Sequence, residues 1–321
     1  MEPVCRSGGS TAPPHACQTD PVPELPDVDV YVERLAALAQ GHVLRGVRIG
    51  SPFLLRTVDP PVAEIAGRTL VSVERLGKRI VMELQGDLFA VIHLMVAGRL
   101  RWKKPGAAIP GRVGLAVFDF DHGALVLTEA SKKKRASLYL VRGRDGLLDH
   151  DRGGIDPLSC GLEAFIDVVR RENRTLKRVL TDPRFFSGIG NSYSDEILFH
   201  SKLIPIKLTS RLTDDELATL HEKTVWLLTE WRDRLRAEVG DGFPDKVSAF
   251  RDDFFVHGRY RQPCRVCSKP IQRIRYAENE VNYCAQCQYG GKLLADRGLS
   301  RLLKQDWPKS LDELETKRSG E

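Results

Sequence analysis

The sequence predicts an α+β protein: an N-terminal β-sandwich carrying one helix, then a helical domain, then a C-terminal four-cysteine zinc finger. Three observations predict it. Short apolar runs separated by Gly, Asp and Pro fill the stretch from Val43 to Val141, helical periodicity replaces them from Gly161 to Val239, and two Cys-x2-Cys pairs follow. The length of 321 residues, at roughly 150 residues per domain, allows about two domains with cores of their own.

Each element has its own warrant. Residues 1–22 are rich in Gly, Ser, Thr and Pro without apolar periodicity and read as a disordered leader. From Asp27 the apolar positions Val28, Tyr31, Leu35 and Leu38 recur at helical spacing and stop at Gly41, predicting one amphipathic helix. Leu70–Val73, Arg79–Leu84, Leu88–Met95, Leu115–Phe120 and Leu125–Thr128 read as strands of a sandwich or barrel. Leu162, Phe165, Ile166 and Val169, then Ile197 and Leu198, then Leu217, Leu220, Val225 and Leu228 mark the helices that follow. Past Gly290 the chain is polar, with one further helix expected around Leu293–Leu303.

Composition narrows the function. Lysine plus arginine outnumber aspartate plus glutamate 49 to 43, a net charge of +6 that suits a polyanionic partner without requiring one. The longest apolar stretch, Leu88–Gly98, is interrupted by His93 and falls far short of the roughly 20 residues that span a bilayer. The first 22 residues hold no apolar segment of the secretory kind, so a reducing cytoplasm is expected, with cysteines present as thiols or metal ligands.

Four of the seven cysteines are tightly organised. Cys264-x2-Cys267, sixteen intervening residues and Cys284-x2-Cys287 match two knuckles that place four thiolates tetrahedrally around one Zn²⁺. Pro263-Cys264-x-x-Cys267 is also half of a nucleobase-deaminase signature, but none of the eight histidines opens the His-x-Glu that completes it. Four thiolates leave no position for an activated water, so the zinc is expected to be structural and the chemistry to lie elsewhere.

Three further constellations stand in order along the chain: Pro23-Glu24-Leu25-Pro26-Asp27-Val28, Arg75-Leu76-Gly77-Lys78-Arg79-Ile80, and Gly188-Ile189-Gly190-Asn191 ahead of Asp195-Glu196-Ile197-Leu198. Singly, a Pro-Glu pair is a common helix start and Gly-x-Gly-Asn a common turn or N-cap. With the cysteine ribbon, over residues 23–289, they resemble the formamidopyrimidine-DNA glycosylase and endonuclease VIII family of base-excision repair enzymes, in its formamidopyrimidine branch. The resemblance implies a catalytic β-sandwich over 23–152, a helix-two-turn-helix domain over 153–245, a zinc finger over 246–289 and a polar extension over 290–321. It also implies glycosylase plus abasic-site lyase activity on damaged double-stranded DNA, by a monomer located in the cytoplasm at the nucleoid.

The chemistry of the residues agrees with that carry-over. An amine attacking the sugar C1′ displaces the base and leaves an iminium, whose electron sink acidifies the C2′ proton and permits β-elimination of the 3′ phosphate. A terminal proline is a secondary amine with α-amino character, partly unprotonated near neutral pH, whereas a lysine near 10.4 needs heavy tuning. By resemblance Pro23 is the nucleophile, Glu24 the proton donor that labilises the sugar, and Lys78 a further proton donor at the lesion. Asn191, with the amides after Gly190 at a helix start, and Lys177 are implied phosphate contacts. Met95, in His93-Leu94-Met95-Val96-Ala97-Gly98, is the implied side chain that fills the vacated stack, against a core methionine as the other reading.

Departures from the family pattern are visible. Its Asp-Pro-Arg-Arg-Phe-Gly loop is replaced by Glu129-Ala130-Ser131-Lys132-Lys133-Lys134-Arg135-Ala136-Ser137, in which Arg135 is the one arginine left to contact DNA. Asn279 falls near the arginine linked to δ-elimination, with Arg273 and Arg275 the nearest substitutes, and the segment 240–256 is shorter than the lesion-capping loop. As written, Pro23 is an internal imide with no lone pair to give, so the mechanism requires a chain that begins at Pro23, by initiation at Val22 or by proteolysis after it. A catalytically inactive, zinc-containing DNA-damage binder on the same scaffold is the alternative. A zinc-ribbon translation protein fits the charge and cysteines but leaves Pro23-Glu24 and Lys78 unexplained.

Overall fold

In the computed structural model the described residues are 22–244, 251–276, 279–295 and 308–319. The leader 1–21 and most of the helix expected at Leu293–Leu303 lie outside them. Helix α1 spans Leu25–Ala39, two residues longer at its start than the periodicity predicts. The reason is local: the Asp27 carboxylate accepts the Glu24 N–H at 3.0 Å, which caps the first turn and admits Leu25 and Pro26 to it.

Eight antiparallel strands follow: β1 (Val43–Ile49), β2 (Arg68–Leu76), β3 (Arg79–Leu84), β4 (Leu88–His93), β5 (Gly98–Lys103), β6 (Gly114–Phe120), β7 (Ala124–Glu129) and β8 (Ser137–Arg142), with a short helix α2 (Val62–Ile65) after β1. Their order is β5-β7-β6-β1-β2-β3-β4-β8. Only Val43↔Thr69 and Leu44↔Arg68 join β1 to β2, so the two halves fold over one another as a sandwich. Leu70, Ile80, Ile92 and Leu138 from one half meet Leu44, Leu100, Phe118 and Leu127 from the other in one core, which Val28, Tyr31 and Leu35 of α1 close. Strand β4 ends at His93 rather than at Met95 because Leu94–Ala97 turns the chain toward the other half.

The helical domain holds α3 (Leu162–Arg170), α4 (Leu176–Thr181), α5 (Asn191–His200) and α6 (Asp214–Val239). Thr213 and Glu216 cap α6 reciprocally, each side chain accepting the other's backbone N–H. Phe165, Leu176, Phe186, Tyr193, Ile197, Leu217 and Leu228 form a second core, to which Leu25 also belongs. Helix α1 therefore straddles both cores and packs on β2 and α6. The hairpin β9 (Gln272–Tyr276) and β10 (Asn279–Tyr283), helix α7 (Ala285–Tyr289) and helix α8 (Leu311–Ser319) complete the described chain. Among the described residues no helix is long and apolar enough to cross a membrane.

Candidate active site

The strand register assembles one end of the sandwich. Leu76 pairs with Arg79, so Gly77-Lys78 is a two-residue hairpin turn; Gly77 has φ +63°, which a glycine adopts without a Cβ penalty. Arg79 lies opposite His93, and His93 opposite Ser137. The Lys78 turn, the Leu94–Ala97 turn and the 130–136 loop therefore leave three adjacent strands at the same end.

The helical domain meets that end through Glu24. One oxygen of its carboxylate accepts the N–H of Gly190 at 2.6 Å and of Tyr193 at 3.3 Å, and the other accepts that of Ser192 at 2.8 Å. These are donors that the start of α5 cannot satisfy within the helix, and the carboxylate sits where the helix dipole favours negative charge. A Cβ on Gly190 would lie 2.1 Å from Lys78 Nζ and 2.5 Å from the Glu24 carboxyl carbon, so the two side chains face one another across a backbone that has room only for glycine. Pro23, next in the chain, is buried.

Burial shapes the electrostatics. It pushes the Lys78 ammonium below the ordinary lysine range, against the pull of Glu24 and with a contribution from Lys177. Burial, with Arg79 and Lys78 nearby, pushes His93 down to about 3, so it is neutral at physiological pH. Burial raises Asp27, opposed by the Arg251 guanidinium 2.7 Å away. Arg75 ties the junction together, donating to Asp29 of α1, to Asp156 of the linker and to the Gly77 carbonyl.

The residues expected at DNA have protein partners of their own in this structure. The amides after Gly190 already serve Glu24, and the Asn191 side chain donates to the Glu280 carbonyl of β10 at 2.8 Å. Lys177 is buried, and its three donors go to the Asn191 carbonyl, Ser194 Oγ and Asp195. In this arrangement it fastens the start of α5. Met95 is half-buried at the tip of its turn, with φ +53°, and belongs to neither core; Met82 is the core methionine. Arg99 braces that turn by donating to the Val96 and Gly98 carbonyls. Arg135 is exposed, while its amide and that of Ala136 donate to the buried Glu129 carboxylate, which also accepts from Ser131 and so shapes the loop.

At the far end of α5, four cysteine Sγ atoms, of Cys264, Cys267, Cys284 and Cys287, all lie within 4.8 Å of one another. The pairs at 3.8 and 3.4 Å are too long for disulfides, whose sulfurs sit about 2.05 Å apart. They suit thiolates placed tetrahedrally at about 2.3 Å from a common ion, so this set could hold a metal.

Two residues of the Asp195-Glu196 motif, noticed in the sequence but given no role there, explain how that module is mounted. Glu196 is buried and accepts the N–H groups of Phe255, Val256 and His257 at 2.8 to 2.9 Å. Asp195 accepts from His257 Nδ1 at 2.8 Å and from the Asn282 amide at 3.0 Å. Both acids lie in the buried run Ser192–Phe199 of α5, where a carboxylate without partners is too costly to persist.

Comparison with known proteins places this arrangement. The formamidopyrimidine-DNA glycosylase N-terminal domain matches residues 22–136, and the formamidopyrimidine-DNA glycosylase H2TH domain matches residues 154–231. The formamidopyrimidine-DNA glycosylase of Solibacter usitatus is 30% identical over 275 residues, covering 83% of this chain and 99% of its own length. The MutM (Fpg) protein of Thermus thermophilus superposes with a TM-score of 0.70 at 28% identity, over 83% of this chain and 98% of that one. The Lactococcus lactis Fpg, solved with DNA containing an abasic site, shares the fold with a TM-score of 0.72 at 22% identity, over 83% and 99% of the two chains. The chain belongs to the formamidopyrimidine-DNA glycosylase family.

Proposed function

We propose that this protein excises oxidised or ring-opened purines from duplex DNA and then cleaves the strand at the resulting abasic site. The observation that carries the reading is the convergence of Glu24 and Lys78 over Gly190, beside Pro23, at the seam between the two domains. In a chain that begins at Pro23, the ring nitrogen has a lone pair. It attacks C1′ as the C1′–base bond breaks, and the base departs with a proton. The nitrogen then sheds its proton and its lone pair opens the sugar ring, O4′ taking up a proton, to leave the iminium; a base removes the C2′ proton, the C–H electron pair flows toward the iminium, and the C3′–O bond breaks to expel the 3′ phosphate.

Glu24, held by three amides, is positioned to pass a proton to the sugar, and Lys78 to pass one at the damaged nucleotide. Met95, at the tip of its turn, is placed to fill the gap left by an extruded nucleotide. Asn191 and Lys177 act at one remove by fixing the start of α5. The four thiolates fit Zn²⁺, which when bound staples the hairpin and supplies no nucleophile.

Excision of a damaged base, followed with Lys78→Ala and Lys78→Arg, tests the assignment. As a donor, Lys78 works only while protonated, so excision falls as pH rises through its lowered pKa, at a pH below the ordinary lysine range. Lys78→Arg, always charged, should flatten that alkaline limb, and Lys78→Ala should lose excision at every pH. An unchanged alkaline limb in Lys78→Arg would remove Lys78 from proton delivery.

A further inference from the structure

The site uses one end of the sandwich, yet the densest positive charge lies beside it. From Leu88 to Phe118 the chain has no acidic residue and carries Arg99, Arg101, Lys103, Lys104 and Arg112; from Ala130 to Val141 it again has none and carries Lys132, Lys133, Lys134 and Arg135. The fold joins the two stretches. Gly98 of the edge strand β5 lies opposite Glu129, whose amide donates to Val113, so the basic loop, Arg112 and the start of β5 adjoin one another.

Strand alternation then orders the charge. Leu100 points into the core, which leaves Arg99, Arg101 and Lys103 on the outer face, where Arg101 is paired with Val126 and Lys103 with Ala124. Val126 and Ala124 form a small apolar patch there with Val117. Arg101, Lys103 and Lys104 line a cavity of about 440 Å³ over Val126. Arg101, Lys104, Arg112, Lys132 and Lys133 are all exposed, and among the described residues no ion pair involves them. These five exposed cations face two nearby carboxylates, Glu129, which is buried, and Asp119, which Arg48 pairs at 2.6 Å.

We infer that the outer face of β5, continued by the 130–136 loop, is a second nucleic-acid contact that grips duplex backbone beyond the lesion, on one side only. The inference rests on the DNA-directed reading above. Five residue steps from Arg99 to Lys104 cover ~17 Å at about 3.4 Å each, the length over which one strand presents about five phosphates. The track starts at the Leu94–Ala97 turn and runs away from it, so it can meet only the flank on that side. Its charges touch phosphate rather than base edges, so the grip is independent of sequence and depends on salt.

The test compares a short lesion duplex, just filling the cleft, with duplexes extended by about six base pairs on one side or the other. The wild-type protein should bind one extension at least about fivefold more tightly and ignore the other. R101E/K104E should lose that gain, bind the short duplex as the wild type does, and show a slope of log affinity against log salt lower by about 1.8 on the favoured extension. R101Q/K104Q should lose the gain without repulsion, which separates neutralisation from charge reversal. Wild-type binding to both extensions equal to that of the short duplex, or variants that match the wild type on each of them, would overturn the inference and leave the catalytic reading standing. Failure of the wild-type protein to bind any lesion duplex would instead overturn both.

Discussion

At the junction between the sandwich and the helices, Lys177 is buried, the Arg75 and Arg251 side chains are only 10% and 9% exposed, and each meets a carboxylate, whereas Arg101 and Lys104 on β5 and just past it, and Lys132 and Lys133 in the 130–136 loop, stand exposed. The first group holds parts together. Removing a buried cation strands its partner's charge in a poorly solvated place, while an exposed one is released to water at little cost. Equal counts of lysine and arginine in a sequence therefore conceal two uses, and only burial separates positioning from binding.

The largest effect should come from the buried set. Lys177→Met leaves Asp195, which has no solvent exposure, without its cation, and should cost about 3–5 kcal/mol in denaturant unfolding. Retained stability with lost DNA affinity would instead put the Lys177 ammonium on DNA and erase the contrast between the two regions. Metal removal comes next: chelation or Cys284→Ser should release one Zn²⁺ per chain and unfold the hairpin, weakening DNA binding. Full DNA affinity in Cys284→Ser would show that the hairpin stands on Glu196 and Asp195 alone.

At the seam itself, Gly190→Ala should lower excision by about 10²-fold by displacing Lys78 and Glu24. Its backbone, at φ −129°, suits alanine, so any loss of stability comes from the displaced Lys78 and from the Glu24 carboxylate leaving its amide donors. Wild-type excision in this variant would mean that the two side chains need not face one another. The smallest effect belongs to the exposed set. Lys132→Ala should move stability by no more than about 0.5 kcal/mol and lower the salt slope of DNA binding by about 0.9; an unchanged slope would take the 130–136 loop off the polyanion track.

Much of this was legible in the sequence, and what was hidden has a common cause. Local spacing revealed α1, the β3 strand and the four cysteines, because each rests on neighbours a few residues away, whereas Pro23, Glu24 and Lys78 entered only through an order of motifs that resembles the family. Strands β1, β5 and β8 were not singled out; in β5, Arg99, Arg101 and Lys103 alternate with so few apolar positions that the period-two signal is weak. Long-range pairings left no local trace. Glu24 on the start of α5, Glu196 under residues 255–257 and Arg75 between Asp29 and Asp156 join positions dozens to more than a hundred residues apart. The α5 start shows the same limit: residue types at a helix start invite an anion, but that the Glu24 carboxylate meets the amides there is set by tertiary structure.

The central claim is that the amine of Pro23 forms the bond to DNA, and borohydride trapping tests it most directly. A chain beginning at Pro23, mixed with duplex holding an abasic site or an oxidised purine, should freeze as a covalent protein–DNA adduct when the iminium is reduced. Glu24→Gln should keep much of the trapping on a ready-made abasic site while losing excision, because only excision needs full activation of the sugar and leaving group. With Pro23 internal, the nitrogen has no lone pair and no adduct should form. An adduct from the chain with Pro23 internal, or binding without any adduct from the chain that begins there, would contradict the account, and the second result would leave a damage-binding protein on a glycosylase scaffold.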